Sequence, residues 1–242
     1  MVQETILLTG ATGNVGAVTL DQLLTTSSHN VIAVLRKDSY ISLLEKKYPS
    51  EIAQGRLSFV IVPDMTIPDV FDDAASSATA IIHIATPIAV DNWVEELINP
   101  TWDIDRNILG AAKKSNNVKR VVICGTILQA MDFSQLFNAN EVIDASSWNS
   151  MTFEQAKDGP FSNAYMYAKT NAERKTWEWV QENEPGIGFD VVMLLPPSIT
   201  GRSPQVTFKP SADAPGGIPR LYNALMVSKT AADVDATFPF VM

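Results

Sequence analysis

Residues 5–20 read TILLTGATGNVGAVTL: an apolar run, then glycines at 10, 13 and 16, then an amphipathic stretch. A run this short and apolar suits a strand buried on both faces. The stretch that follows suits a helix. Between them, one glycine makes the bend, one clears space for a ligand, and one lets helix pack on strand. Backbone N–H groups and the helix N-terminus then face a pyrophosphate, with Thr12, Asn14 and Val15 in the same turn. A tight strand-to-helix turn without a ligand gives the same triplet. Its position at the first strand of a βαβ unit favours dinucleotide binding.

Working outward, the pattern repeats. The runs VIAVL, LSFVIV, AIIHIA, KRVVIC and FDVVMLL alternate with helical stretches over 39–48, 92–115 and 163–183, and with a shorter helical patch after the third strand. Alternation of this kind implies right-handed crossovers and a parallel sheet, so the expected fold is α/β, doubly wound, with about six strands. After Pro196 the chain turns rich in Pro, Gly and Ser and reads as loop, with one helix expected over 219–228. The expected division is a Rossmann domain over 1–197 and a small partial substrate lobe over 198–242 that does not fold alone.

Composition sets limits on partners. The 242 residues carry 18 Lys plus Arg against 27 Asp plus Glu, a net charge of −9 that repels nucleic-acid and anionic membrane surfaces. Cys124 is the only cysteine, so no internal disulfide forms, and a reducing, cytoplasmic setting is the expectation. No apolar run reaches the roughly 18 residues of a membrane span. His29 and His83 are the only histidines and have no zinc-ligand spacing, so no metal is expected. The sequence contains neither a G-x-S-x-G elbow nor a lysine-bearing P-loop.

The second strand discriminates between cofactors. It ends at Arg36 and Lys37, where NAD sites usually carry an acid and NADP sites an arginine for the 2′-phosphate. A solvated basic pair offset by Asp38 is the plain alternative; NADP is the favoured reading. Further on, Tyr165 and Lys169 stand four apart in SNAYMYAKTNAE, on one face of a helix, with Tyr167 pointing elsewhere. Such a pair also arises by chance. Beside a dinucleotide turn it makes chemical sense, because carbonyl reduction needs a proton donor for the developing alkoxide. An ammonium near the phenol would lower its pKa from about 10.

With TGATGNVG, Arg36, VPDMT, IIHIATP, NILGA and YMYAK in order, the chain resembles the extended short-chain dehydrogenase/reductases over residues 4 to about 201. More narrowly it resembles the cinnamoyl-CoA reductase and dihydroflavonol reductase group, and its fungal NADPH-dependent aldehyde and ketone reductases. The resemblance implies NADPH as cofactor and a small carbonyl compound as substrate. It implies Asp64 and Met65 beside the adenine, Ala85, Thr86 and Pro87 along the cofactor, and Pro196, Ser198 and Ile199 at the nicotinamide end. It assigns catalysis to Thr126, Tyr165 and Lys169, with Lys169 also holding the nicotinamide ribose.

Two departures bear on function. Where relatives carry a segment close to TSS, this chain has Cys124, Gly125 and Thr126, so only the last hydroxyl is kept. NAYMY replaces the NWYCY of cinnamoyl-CoA reductases, which moves the expected substrate from CoA thioesters towards smaller aldehydes and ketones. Ile127, Leu128, Met131 and Phe133 are candidates for an apolar pocket or for core. Cys124 reads as a small core hydrophobe rather than a thiol nucleophile. Two other functions share parts of the pattern. A non-catalytic NADP-binding regulator would typically lack the Tyr/Lys pair, and a sugar-nucleotide epimerase or dehydratase would more often place an acid after the second strand. Relatives continue well past the point matching Met242. The resemblance therefore implies a chain incomplete relative to its family, with cofactor binding that survives better than turnover and with Phe238, Phe240 and Val241 lacking an obvious partner; a short natural form whose tail packs over the sheet edge, or a homodimer that covers it, is the alternative.

Overall fold

Strand runs with no polar face must be covered on both sides, and the computed structural model, which describes residues 3–87, 91–132, 135, 142–199, 201, 204–206 and 230, shows how. Strands β1 (Thr5–Leu8), β2 (Asn30–Leu35), β3 (Leu57–Ile61), β4 (Ala80–His83), β5 (Arg120–Cys124) and β6 (Asp190–Leu194) form one sheet in the order β3-β2-β1-β4-β5-β6. Every pairing is parallel. The helices are α1 (Asn14–Thr26), α2 (Ile41–Lys47), α3 (Pro49–Ala53), α4 (Asp72–Ser76), α5 (Asn99–Lys114), α6 (Phe153–Lys157) and α7 (Phe161–Asn183).

Alternating side chains send Leu7, Val34 and Ile81 to one face, against Phe71 and Ala75 of the α4 region and Ile104, Ile108 and Leu109 of α5. Leu8, Ala33 and Leu35 go to the other, against Leu20 and Leu24 of α1 and Leu44 of α2. Each of the larger of these side chains, valine, leucine, isoleucine or phenylalanine, contributes about 1.5–3 kcal/mol by leaving water. The winding direction reverses between β1 and β4, and in a sheet of this order the crevice beyond the C-terminal ends of those strands is where a ligand sits.

The helix expected over 92–115 is not uniform. Val94–Ile98 forms a wide π-type turn before α5 begins. Pro100 lies just inside α5 and has no N–H to donate, so the wider turn falls where regular bonding is interrupted. Helix α6 was not anticipated, although Thr152 followed by Gln155 forms a capping box that announces it. The helix expected over 219–228, the apolar residues Phe238, Phe240 and Val241, and Phe133 lie outside the described residues. Among the described residues, no helix is long and apolar enough to cross a membrane, and no cluster of His, Cys, Asp or Glu could hold a metal ion.

Candidate active site

The glycine turn is built by three different constraints. Gly10 adopts φ +73°, and a Cβ there would lie 2.9 Å from the amide nitrogen of Ala85. A Cβ on Gly16 would lie 1.9 Å from the carbonyl oxygen of Gly10, so α1 approaches the turn only because position 16 is bare. Gly13 donates its N–H to the Gly10 carbonyl at 2.9 Å and stands as N-cap of α1, turning the helix N-terminus towards the crevice.

Behind the turn lies a buried polar chain. Thr9 Oγ1 accepts the amide N–H groups of Ile84 and Ala85 at 3.0 and 3.1 Å and lies 2.7 Å from His83 Nδ1. His83 Nε2 lies 3.1 Å from the carboxylate of Asp105 on α5. With two donors already on the threonine oxygen, its proton goes to Nδ1 and the Nε2–H is left for Asp105. This chain ties β1, β4 and α5 together and sets the start of the Ala85–Thr86–Pro87 segment. Asn107 performs a similar task two residues along α5, donating to the carbonyls of Met65 and Ile67 at 3.0 Å each.

A cavity of about 500 Å³ opens in front of these elements. Of the candidate residues, Gly10, Thr12, Gly13, Asn14, Val15, Gly16, Arg36, Lys37, Met65, Ala85, Thr86, Pro87 and Tyr165 line it. Asp64 lines an adjoining cavity of about 200 Å³ shared with Arg36, Met65, Ala85, Thr86 and Pro87. The Asp64 carboxylate accepts from the hydroxyl and amide of Thr66, which hold its pKa below the usual range. Arg36 and Lys37 are exposed, and among the described residues neither pairs with Asp38 or any other carboxylate. An unneutralised cation pair at the rim suits a phosphate. Pro196, Ser198 and Ile199 line neither cavity; Pro196 instead accepts the amide of Ile127 at 2.9 Å.

Helix α7 delivers the catalytic candidates. Lys169, only 5% exposed, donates through Nζ to Thr86 Oγ1 and to the carbonyl oxygen of Cys124, both at 3.1 Å. The hydroxyl of Thr126 lies near enough to the phenol of Tyr165 to favour its ionised form. Burial, and next the neighbouring Cys124, push the phenol above its ordinary pKa, while the Thr126 hydroxyl pulls it down by less. The net direction is therefore upward. The expected lowering by Lys169 is not what this arrangement produces: burial dominates, and Lys169 is not among the groups that shift the phenol. Burial likewise pushes the Cys124 thiol up, more than Lys169 pulls it down, which keeps it an unreactive thiol. Tyr167 turns away, packing near Phe153 at 5.7 Å between ring centroids.

Four walls of the larger cavity had not been singled out: Val34, Tyr40, Ile84 and Phe161. Phe161 is 42% exposed and stacks near Tyr165, with centroids 6.0 Å apart and planes at 28°. Trp93 meets its ring at 67° and is anchored by an Nε1–H bond to the Gly159 carbonyl at 3.0 Å. The spacing of Phe161 four residues before Tyr165 was the available signal. Met131 is buried, whereas Ile127 and Leu128 are half-buried and line neither described cavity.

The chain is 34% identical over 228 residues to NAD-dependent epimerase/dehydratase ALT6 of Alternaria alternata, matching 88% of this chain and 60% of the relative. Against aldehyde reductase 2 of Sporidiobolus salmonicolor it is 28% identical, with 78% of this chain and 56% of the relative covered. Among solved structures, Gre2 of Candida albicans in complex with NADPH superposes with a TM-score of 0.78 at 25% identity, covering 87% of this chain and 63% of that one. The chain thus spans about 60% of the length of the curated relatives it matches. The model of the NAD dependent epimerase/dehydratase family matches residues 6–240, nearly the whole sequence, and the chain belongs to that family.

Proposed function

We propose that the protein is an NADPH-dependent carbonyl reductase of the cytoplasm, converting an aldehyde or ketone to an alcohol. The observation that carries this reading is one cavity lined together by Arg36 and Lys37, the glycine turn and Tyr165. Bound NADPH would supply the hydride. The chain's own residues do the rest: the helix N-terminus and glycine turn take the pyrophosphate, Arg36 and Lys37 the 2′-phosphate, and Asp64 and Met65 flank the adenine. Ala85, Thr86 and Pro87 run along the cofactor, with Pro196, Ser198 and Ile199 reserved for the nicotinamide end. Lys169 holds Thr86 and the end of β5 in place and offers its remaining donor to the ribose. Thr126 and Tyr165 meet the substrate oxygen, and Tyr165 gives up its proton as the alkoxide forms.

The relatives named as aldehyde reductase 2 and as putative NADPH-dependent methylglyoxal reductase GRP2 of Candida albicans support the same class of reaction. The exposed ring of Phe161 beside Tyr165 favours carbonyl compounds with a flat apolar substituent. NADPH oxidation across a panel of aldehydes, ketones and CoA esters tests the proposal, and no turnover with any aldehyde or ketone would refute it. Homodimerisation is settled by sedimentation of the purified chain.

Cofactor preference has its own test. Arg36→Ala is expected to weaken NADPH binding about 10- to 100-fold, the worth of a charge-assisted phosphate contact, and to leave NADH binding unchanged. Equal affinities of the unaltered protein for NADPH and NADH would remove the assignment.

A further inference from the structure

Thr126 sits on a loop, between β5 and a 3₁₀ turn at Ile127–Gln129, yet its hydroxyl must be held against a phenol on α7. Two tethers from α7 reach that loop. Lys169 takes the carbonyl of Cys124 at 3.1 Å. One helical turn on, Glu173 accepts a 2.5 Å bond from Gln129 Nε2, and Gln129 Oε1 in turn accepts the Thr126 amide at 2.7 Å. Gln129 is 1% exposed and Glu173 7%, and the second carboxylate oxygen of Glu173 accepts Trp177 Nε1 at 3.2 Å. Such a buried chain is worth most when every member is satisfied.

The glycine preceding Thr126 belongs to the same device. A Cβ on Gly125 would lie 2.2 Å from Gln129 Oε1 and 2.7 Å from Leu195 Cδ2, so the carboxamide occupies the space that a side chain at 125 would fill. Thr126 Oγ1 accepts the Leu128 amide at 3.4 Å, which fixes the oxygen and leaves its proton to be directed towards the neighbouring phenol of Tyr165. We propose that Gln129, braced by Glu173 and admitted by Gly125, is a positioning residue that fixes the Thr126 hydroxyl on Tyr165. This rests on the proposed reductase reading for its consequence in catalysis, though not for its geometry.

The test uses Gln129→Met, which keeps the volume and removes both bonds, with Thr126→Val as reference. Amide exchange at Thr126 and the Cζ resonance of labelled Tyr165 at neutral pH are read by NMR, alongside NADPH affinity and steady-state kinetics. Expected are loss of protection at the Thr126 amide, a Tyr165 shift matching that of Thr126→Val, unchanged NADPH affinity, and kcat lowered roughly ten-fold with KM little altered. Gly125→Ala should reproduce these effects by evicting Gln129, and the Gly125→Ala/Gln129→Met pair should be no worse than either alone. If the Tyr165 resonance stays where it is in the unaltered protein, or if Gly125→Ala is silent, the proposal is wrong. Absence of carbonyl reduction in the unaltered protein would overturn the reductase reading alone, because both NMR readouts are independent of turnover.

Discussion

Tyr165→Phe is expected to lower the rate of carbonyl reduction by roughly 10²–10⁴-fold, the usual contribution of a positioned general acid, while NADPH binds as before. Only the phenolic proton is removed; the ring keeps its place beside Phe161. Because burial holds the phenol above its ordinary pKa, Tyr165 stays protonated through neutral pH and is a competent donor there. Reduction should accordingly be insensitive to pH across the neutral range and fall only in the alkaline region. The reverse reaction, alcohol oxidation, needs the phenolate, so its rate should climb as pH rises. Steady-state rates in both directions across pH, set beside NADPH titrations of both proteins, check this. Wild-type turnover by Tyr165→Phe would assign the proton to another group. Lys169→Ala should act differently, damaging cofactor affinity and rate together, since Thr86 and the Cys124 carbonyl both lose their donor.

Much of this arrangement was readable before any coordinates, for reasons that differ from residue to residue. The six strands showed because parallel strands buried on both faces leave apolar runs too short for helices and bounded by turn residues. The glycine turn showed because only a missing Cβ allows Gly10 at φ +73° and Gly16 against the Gly10 carbonyl. The wide turn at Val94–Ile98 did not show, since its residues keep helical periodicity and differ only in the interrupted bonding before Pro100. The Gln129 tether was half hidden. Thr126 followed by Gln129 has the same capping-box spacing as Thr152 and Gln155, but Glu173 lies 44 residues beyond Gln129, and nothing local marks that partner. What the sequence showed there was a departure at Gly125; the structure supplies its reason, a carboxamide where a side chain would otherwise be.

His83 makes the same point with a larger consequence for stability. As one of two histidines with no ligand spacing it invited only a packing role, yet it joins Thr9 to Asp105 inside the core. His83→Leu should therefore cost more than its loss of polarity suggests. The leucine fills the space, but the Asp105 carboxylate keeps no hydrogen-bond partner among the described residues, and the Thr9 hydroxyl loses its acceptor. Leaving such buried groups unmet costs about 3 kcal/mol, which in a chain of this size corresponds to a fall in melting temperature of roughly 6–12 °C. Replacing both ends, His83→Leu with Asp105→Leu, removes the orphaned carboxylate and should recover part of that loss, because paired polar groups exchanged for apolar ones of similar volume are often near neutral. Thermal denaturation of the single and double variants decides the matter. A double variant less stable than His83→Leu would mean that Asp105 has another buried partner. The ligand-side consequence follows from where the chain lies: Thr9 holds the amides of Ile84 and Ala85, so loosening it moves the wall along which the cofactor is proposed to run. Weakened NADPH binding should therefore accompany the lost stability in His83→Leu, even though residue 83 lines neither cavity.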